Sequence, residues 1–295
     1  MDYSKLKGRP SWPFETIGVA IAFSPRLEDL LGEAQRFAKA FGAQLVLMHI
    51  GERTRTKEAL LDDAFRNTGI DEKKVRMIWH DGEPVQTLLE LCKLNIVDLL
   101  IIGALQKENM LRYYLGSVAR KISRKAKCSV LMLTSPKKEG STFRRIMVNG
   151  VENPKTVHTL NTAVYFGSRL DCKEVIVATE VTQEGFAMTV ASDSTVNEAS
   201  RLKKEIQEGS LDKVHRMVQN CRLAEGMSIS EKSIKGKPGY AIRQYAETKK
   251  ADLLAINSPD VKYGIIDRIF PHGMEYILED MPCNVLVVHS RAQGK

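Results

Sequence analysis

Apolar and polar positions fall into two alternating patterns along the chain. Short, nearly continuous apolar runs of strand length occur at Ile17–Phe23, Gln44–Ile50, Val75–His80, Leu99–Ile102 and Ser129–Leu133. Between them lie longer stretches with apolar residues three and four apart. In Glu83–Leu94 these are Val85, Leu88, Leu89 and Cys92, a spacing that buries one helix face. Further helices are expected from Ser24-Pro25 (an N-cap and first-turn proline) to Phe41, closed by Gly42, over Lys57–Asn67, and from Ser117 to about Ala126. Strands alternating with helices predict a parallel sheet with crossover helices. The fully apolar run Leu99–Ile102 fits a strand covered on both faces.

The second half repeats the first. Gly82, Pro84 and Asp98 match Gly236, Pro238 and Asp252 at an offset of 154 residues. KCSVLMLTS from Lys127 matches PCNVLVVHS from Pro282 at 155, and TIGVAIAFSP from Thr16 matches RIMVNGVENP from Arg145 at 129. The change of offset puts roughly 25 extra residues between the second and third strands of the second copy, within Val181–Met227. Its strands are expected at Ile146–Gly150, Glu174–Thr179, Ser228–Ile234, Leu253–Asn257 and Val285–Val288. The insert carries Leu202, Ile206, Leu211, Val214 and Val218 at helical spacing, which reads as an amphipathic extension, and Thr182–Ser194 should be its most mobile stretch. A polar, turn-rich linker at Thr134–Phe143 separates the copies. The fold class is therefore α/β, with two tandem five-stranded parallel domains. They span residues 1–136, with an N-terminal extension at 1–14, and 143–295, with the insertion near 181–227.

Composition narrows the classes of function. Apolar residues are 43% and charged residues 27% of 295, so each half can bury a core without disulfides or metal. No apolar run reaches the length of a membrane span, and the start, MDYSKLKGRPSWPF, lacks the apolar stretch of a secretory signal. The cytoplasm is the expected compartment. Five scattered cysteines without a C-x-x-C suggest neither a disulfide framework nor a zinc site. The net charge of +8 is interspersed with acids, as in DEKK and RLKKEIQE, which argues against nucleic acid as a partner.

Ligands of open parallel sheets bind at the carboxyl ends of the strands, near the switch in strand order. In the first copy the loops beginning at Ala22, Ile50, His80 and Gly103 are in question, and the last is the most informative: GALQKENMLRYYLGSVARKI. A glycine ends the strand and Gly116-Ser117 opens a helix, with Lys107 and Arg112 nearby. A helix head offers unpaired N–H groups to an anion, but Gly-Ser is equally an ordinary cap. The six histidines lack metal-ligand spacing, and no G-x-S-x-G, P-loop or paired-carboxylate motif occurs.

The stretch from Gly82 to Leu133 resembles the signature of the universal stress protein family, and the resemblance extends over nearly all of residues 15–290. That signature has a Gly-x-Pro after strand three, an apolar fourth strand, a loop of form G-x2-G-x9-G-[ST], and a Cys-Pro-Val-Leu-Val-like fifth strand. The resemblance implies that Ile50, Gly103, Gly116, Ser117 and Val118 contact a nucleotide, mostly through backbone, with ATP or AMP as the ligand in the first domain. Two departures stand out. Gln106 replaces the middle glycine, and Ala22 the strand-one aspartate. The second copy departs further, with Val151 for the aspartate, one residue too many in the loop, and Pro271-His272 in place of Gly116-Ser117. The resulting expectation is a non-catalytic stress-response or regulatory protein with an altered nucleotide pocket and no certain cofactor. An ATP- or AMP-binding sensor acting through the first domain is the alternative, and an enzyme or nucleic-acid-associated protein on the same fold is a third class. Expected partners are unidentified proteins, the two domains paired within the chain, and a second copy as a homodimer; no membrane is expected.

Overall fold

The computed structural model describes residues 11–106, 113–151, 153–181, 209, 212, 214–221, 223–261, 268–269 and 272–289. The first half runs β1 (Thr16–Ala20), α1 (Leu27–Phe41), β2 (Gln44–Ile50), α2 (Arg55–Thr68), β3 (Val75–His80), α3 (Pro84–Leu94), β4 (Leu99–Gly103), a small hairpin β5/β6 (Leu105–Gln106 and Tyr113–Tyr114), α4 (Ser117–Lys125) and β7 (Ser129–Leu133). The second runs β8 (Arg145–Asn149), α5 (Lys155–Ser168), β9 (Glu174–Val181), β10 (Ser228–Lys235), α6 (Tyr240–Thr248), β11 (Leu253–Asn257), the hairpin β12/β13 (Asp260–Val261 and Arg268–Ile269), α7 (His272–Glu279) and β14 (Asn284–Val288).

All ten long strands form a single sheet in the order β10-β9-β8-β11-β14-β7-β4-β1-β2-β3. Every neighbouring pair is parallel except β7 and β14, which meet antiparallel with Leu131 opposite Leu286. The two fifth strands, each a potential open edge, cover one another. Within each half the order is third, second, first, fourth, fifth, so the switch lies between β1 and β4 and between β8 and β11.

The repeated residues have matching structural work. Asp98 Oδ2 accepts the amides of Glu15 and Thr16 at 2.9 Å, and Asp252 Oδ2 accepts Arg145 N at 2.9 Å. Each aspartate thus ties the start of the fourth strand to that of the first. Gly82 and Gly236 turn the chain into the third helix at φ 145° and 149°, where a side chain would be strained.

The halves share their cores. On one face Phe37 and Phe41 of α1 pack with Phe143 and Phe166. On the other, α4 lies against α7: Leu115 N donates to Leu278 O at 2.9 Å, and Arg120 and Arg124 both pair with Glu275. The described part of the N-terminal extension belongs to this junction. Trp12 stacks on Tyr165 of α5 at 5.6 Å, and Phe14 is fully buried between Phe41 and Tyr165. The linker is fastened by Glu33 of α1, fully buried, whose Oε2 accepts from Ser141 N at 2.8 Å and Ser141 Oγ at 2.7 Å.

Two local expectations shift. Ser24 and Pro25 form a turn before α1, which starts at Leu27, with Leu27 N donating to Ser24 O at 3.0 Å. The loop after β4 contains a hairpin, matched in the second half at an offset of 155. The insert over 182–208 and its expected mobility lie outside the described residues, as do Leu202, Ile206 and Leu211. Residues 214–219 are helical, with Val214 buried and Val218 packed against the core.

Candidate functional site

Ile50 ends β2 half-buried on the core side of α3 and α4. Gly103 ends β4 exposed, and an added Cβ there would meet nothing within 4 Å. The hairpin folds back so that Gly116 stands at the head of α4 with no side-chain cap, followed by exposed Ser117 and Val118. Leu105 leans over this turn, its Cδ1 3.0 Å from where a Gly116 Cβ would be. Gly103, Gly116, Ser117 and Val118 therefore bound one loop-and-helix-head unit. Ile50 is separated from it by β1, two strand spacings or about 10 Å away. Lys107 and Arg112 lie outside the described residues.

A cation that the sequence reading missed reaches this place. Arg26, directly before α1, donates from Nη1 to Thr134 O at 3.0 Å and from Nη2 to Ala104 O, spanning the carboxyl ends of β4 and β7 across the switch. The second half repeats the device. Lys155, at the start of α5, donates to Ser258 O at 3.2 Å and Pro259 O at 3.0 Å. The offset of 129 pairs Arg26 with Lys155, and that of 154 pairs Ala104 with Ser258. The repeat alignment therefore held the signal, as two basic residues opposite one another.

Beside it, at the ends of β1, β2 and β3, Phe23 stacks on Trp79 at 5.5 Å, and His49 meets both rings edge-on. His49 Nδ1 lies 3.1 Å from Ile21 O, and its Nε2 is 3.3 Å from Lys57 Nζ. His289 lies 3.0 Å from Ser123 O, across the junction of the halves.

The corresponding region of the second half is filled by its own side chains. Glu180, the counterpart of Ile50, accepts the amides of Gly239 (2.8 Å) and Ile242 (2.9 Å) at the head of α6. Asn257 binds Thr159 at 2.5 Å and Thr156 at 3.0 Å. Pro271 lies outside the described residues, and of His272 only its place in the helix is described. Burial raises the Glu180 carboxyl above the ordinary 4.5, and the two amides draw it back only in part. The folded state therefore holds this proton more tightly than the unfolded chain does, and stability falls as pH rises from 4.5 through the raised value. Glu180→Gln mimics the protonated form. Its urea midpoint should exceed the wild type's at pH 7, and the gap should close below 4.5. A gap that widens toward acid would contradict this account. Burial likewise pushes the Cys221 thiol up to about 11.

The architecture is that of a doubly wound α/β protein with one strand-order switch in each half. The chain belongs to the universal stress protein family: the family's sequence profile matches residues 52–134 and 142–289. A curated relative, universal stress protein MJ0531 of Methanocaldococcus jannaschii, is 36% identical over 59 residues, which is 20% of this chain and 35% of that protein. Two solved structures share the fold over nearly the whole length. Protein PA1789 of Pseudomonas aeruginosa PAO1 is 18% identical, covering 93% of this chain and 92% of its own, with a TM-score of 0.63. A universal stress protein from Archaeoglobus fulgidus is 14% identical, covering 94% and 98%, with a TM-score of 0.60. Among the described residues, no helix is long and apolar enough to cross a membrane.

Proposed function

We infer that this chain is a non-catalytic stress-response or regulatory protein whose nucleotide pocket is altered, and that it divides into units at 1–136 and 143–295. The observation that carries this is the asymmetry between the halves. In the second, Glu180 and the Asn257–Thr156–Thr159 network take up the carboxyl ends of the strands. In the first, Gly103 is open and the head of α4 is uncapped. The non-catalytic reading is supported by the sequence, which carries no G-x-S-x-G, P-loop or paired-carboxylate motif.

The open glycine and free helix head favour one second reading, an ATP- or AMP-binding sensor acting through Ile50, Gly103, Gly116, Ser117 and Val118. Calorimetry with ATP, AMP and cyclic AMP separates the two. Weak binding by the wild type, strengthened about tenfold or more by Gln106→Gly with Ala22→Asp, is the expected result, because the glycine admits a phosphate and the aspartate restores a polar partner. Tight ATP binding by the wild type, or binding lost on changing the second half, would overturn the altered-pocket reading in favour of the sensor.

A further inference from the structure

We propose that Ser11 and Trp12 form a releasable clasp on helix α5, and that through α5 they keep the carboxyl end of the second half filled. The segment before the first strand of each half crosses to the other half. Before β8, the linker grips α1: Ser141 N and Oγ donate to Glu33 Oε2 at 2.8 and 2.7 Å, and Phe143 packs on Phe37 and Phe166 at 5.5 and 5.4 Å. Before β1, the N-terminal segment grips α5: the Ser11 and Thr162 hydroxyls share a hydrogen bond of 2.6 Å, and Phe14 packs on Phe41 and Tyr165 at 5.2 and 5.5 Å. The offset of 129 that aligns β1 with β8 also pairs Phe14 with Phe143, Glu33 with Thr162, and Phe37 with Phe166. Two segments thus cross in opposite senses, each holding the first helix of the other half.

The two grips differ in kind. The linker ends on a fully buried carboxylate, and charge-assisted bonds are roughly twice as strong as neutral ones. The other grip is a neutral hydroxyl pair and the stack of Trp12 on Tyr165 at 5.6 Å, with Trp12 40% exposed. Water replaces these contacts at small cost when Ser11 and Trp12 lift. The hinge stays pinned, because Phe14 is fully buried and the amides of Glu15 and Thr16 are held by Asp98. What the clasp controls lies further along the same helix. There Lys155 binds the carbonyls of Ser258 and Pro259, and Thr156 and Thr159 bind Asn257. A helix passes a displacement along its length as a rigid element, so loosening Thr162 and Tyr165 loosens the contacts that fill the second half.

The test is hydrogen exchange of the full chain, read peptide by peptide, in the wild type, in Ser11→Ala with Trp12→Ala, and in Ser141→Ala. In the wild type, α5 should exchange faster than α1, because its grip is the weaker one; this comparison needs no variant that folds. The double variant should speed exchange in α5 and at residues 257–258 about tenfold, and leave β2 and β3 at the wild-type rate. Ser141→Ala should speed exchange in α1 and leave α5 unchanged. Wild-type exchange that is equal in the two helices, or faster in α1, overturns the proposal. So does a double variant in which α5 or residues 257–258 keep the wild-type rate. A rise in β2 and β3 as large as that in α5 also overturns it, because a general loss of stability would then account for the change.

Discussion

Leu131→Asp should cost the chain most of its folding stability, lowering the urea midpoint far more than any surface change. Leu131 is fully buried in β7, paired with Ile101 on one side and with Leu286 across the antiparallel junction on the other. An aspartate there is an unpaired charge in a dry core, at a cost of several kcal/mol. A domain's whole stability is only about 5–15 kcal/mol. Both cores draw residues from both halves, so the loss should appear in a single transition covering the entire chain. The volume control, Leu131→Val, should cost only about 1 kcal/mol. If Leu131→Asp unfolds no earlier than Leu131→Val, or if the second half melts at its wild-type midpoint, the shared core is not what holds the halves.

Gly239→Ala should be the most damaging single methyl that can be added at the described glycines. Gly239 has φ 81°, and a Cβ built on it would lie 1.6 Å from Gly273 O, a backbone atom at the head of α7. Its amide is also held by the Glu180 carboxylate at 2.8 Å, so the chain cannot yield without losing that bond. Strain, steric displacement and the lost hydrogen bond together come to about 3 kcal/mol or more. Gly42 provides the control. It has φ 66° with nothing within 4 Å of a notional Cβ, so Gly42→Ala should carry only the backbone strain, about 1 kcal/mol. Thermal unfolding should place Gly239→Ala roughly 4 °C or more below Gly42→Ala. Equal melting temperatures would mean that the heads of α6 and α7 are not in tight contact.

Much of the architecture could be read before any coordinate, because its causes are local and periodic. Apolar runs of five or so residues, helical spacing between them, and the repeat of Gly82, Pro84 and Asp98 give two parallel units in tandem. The loop bounded by Gly103 and Gly116 was legible for the same reason, since glycine at a strand end and at a helix head is chemistry written in one or two residues. What the pattern could not carry was the partner of each exposed edge. Ser129–Leu133 reads identically whether a helix, a second chain or β14 covers it, so the single ten-stranded sheet followed only from the antiparallel pairing.

The same limit applied to charged side chains. Glu33, Glu180 and Arg26 look like solvated surface, as most such residues are. Glu33 is fully buried under the linker, Glu180 seats on the head of α6, and Arg26 reaches Ala104, 78 residues away. The sequence by itself determined what each segment becomes, because hydrogen bonding within a helix and alternation along a strand depend on near neighbours. Which segment meets which, and hence where an isolated charge finds its acceptors, was decided only by tertiary structure, because those contacts join residues that no local spacing relates.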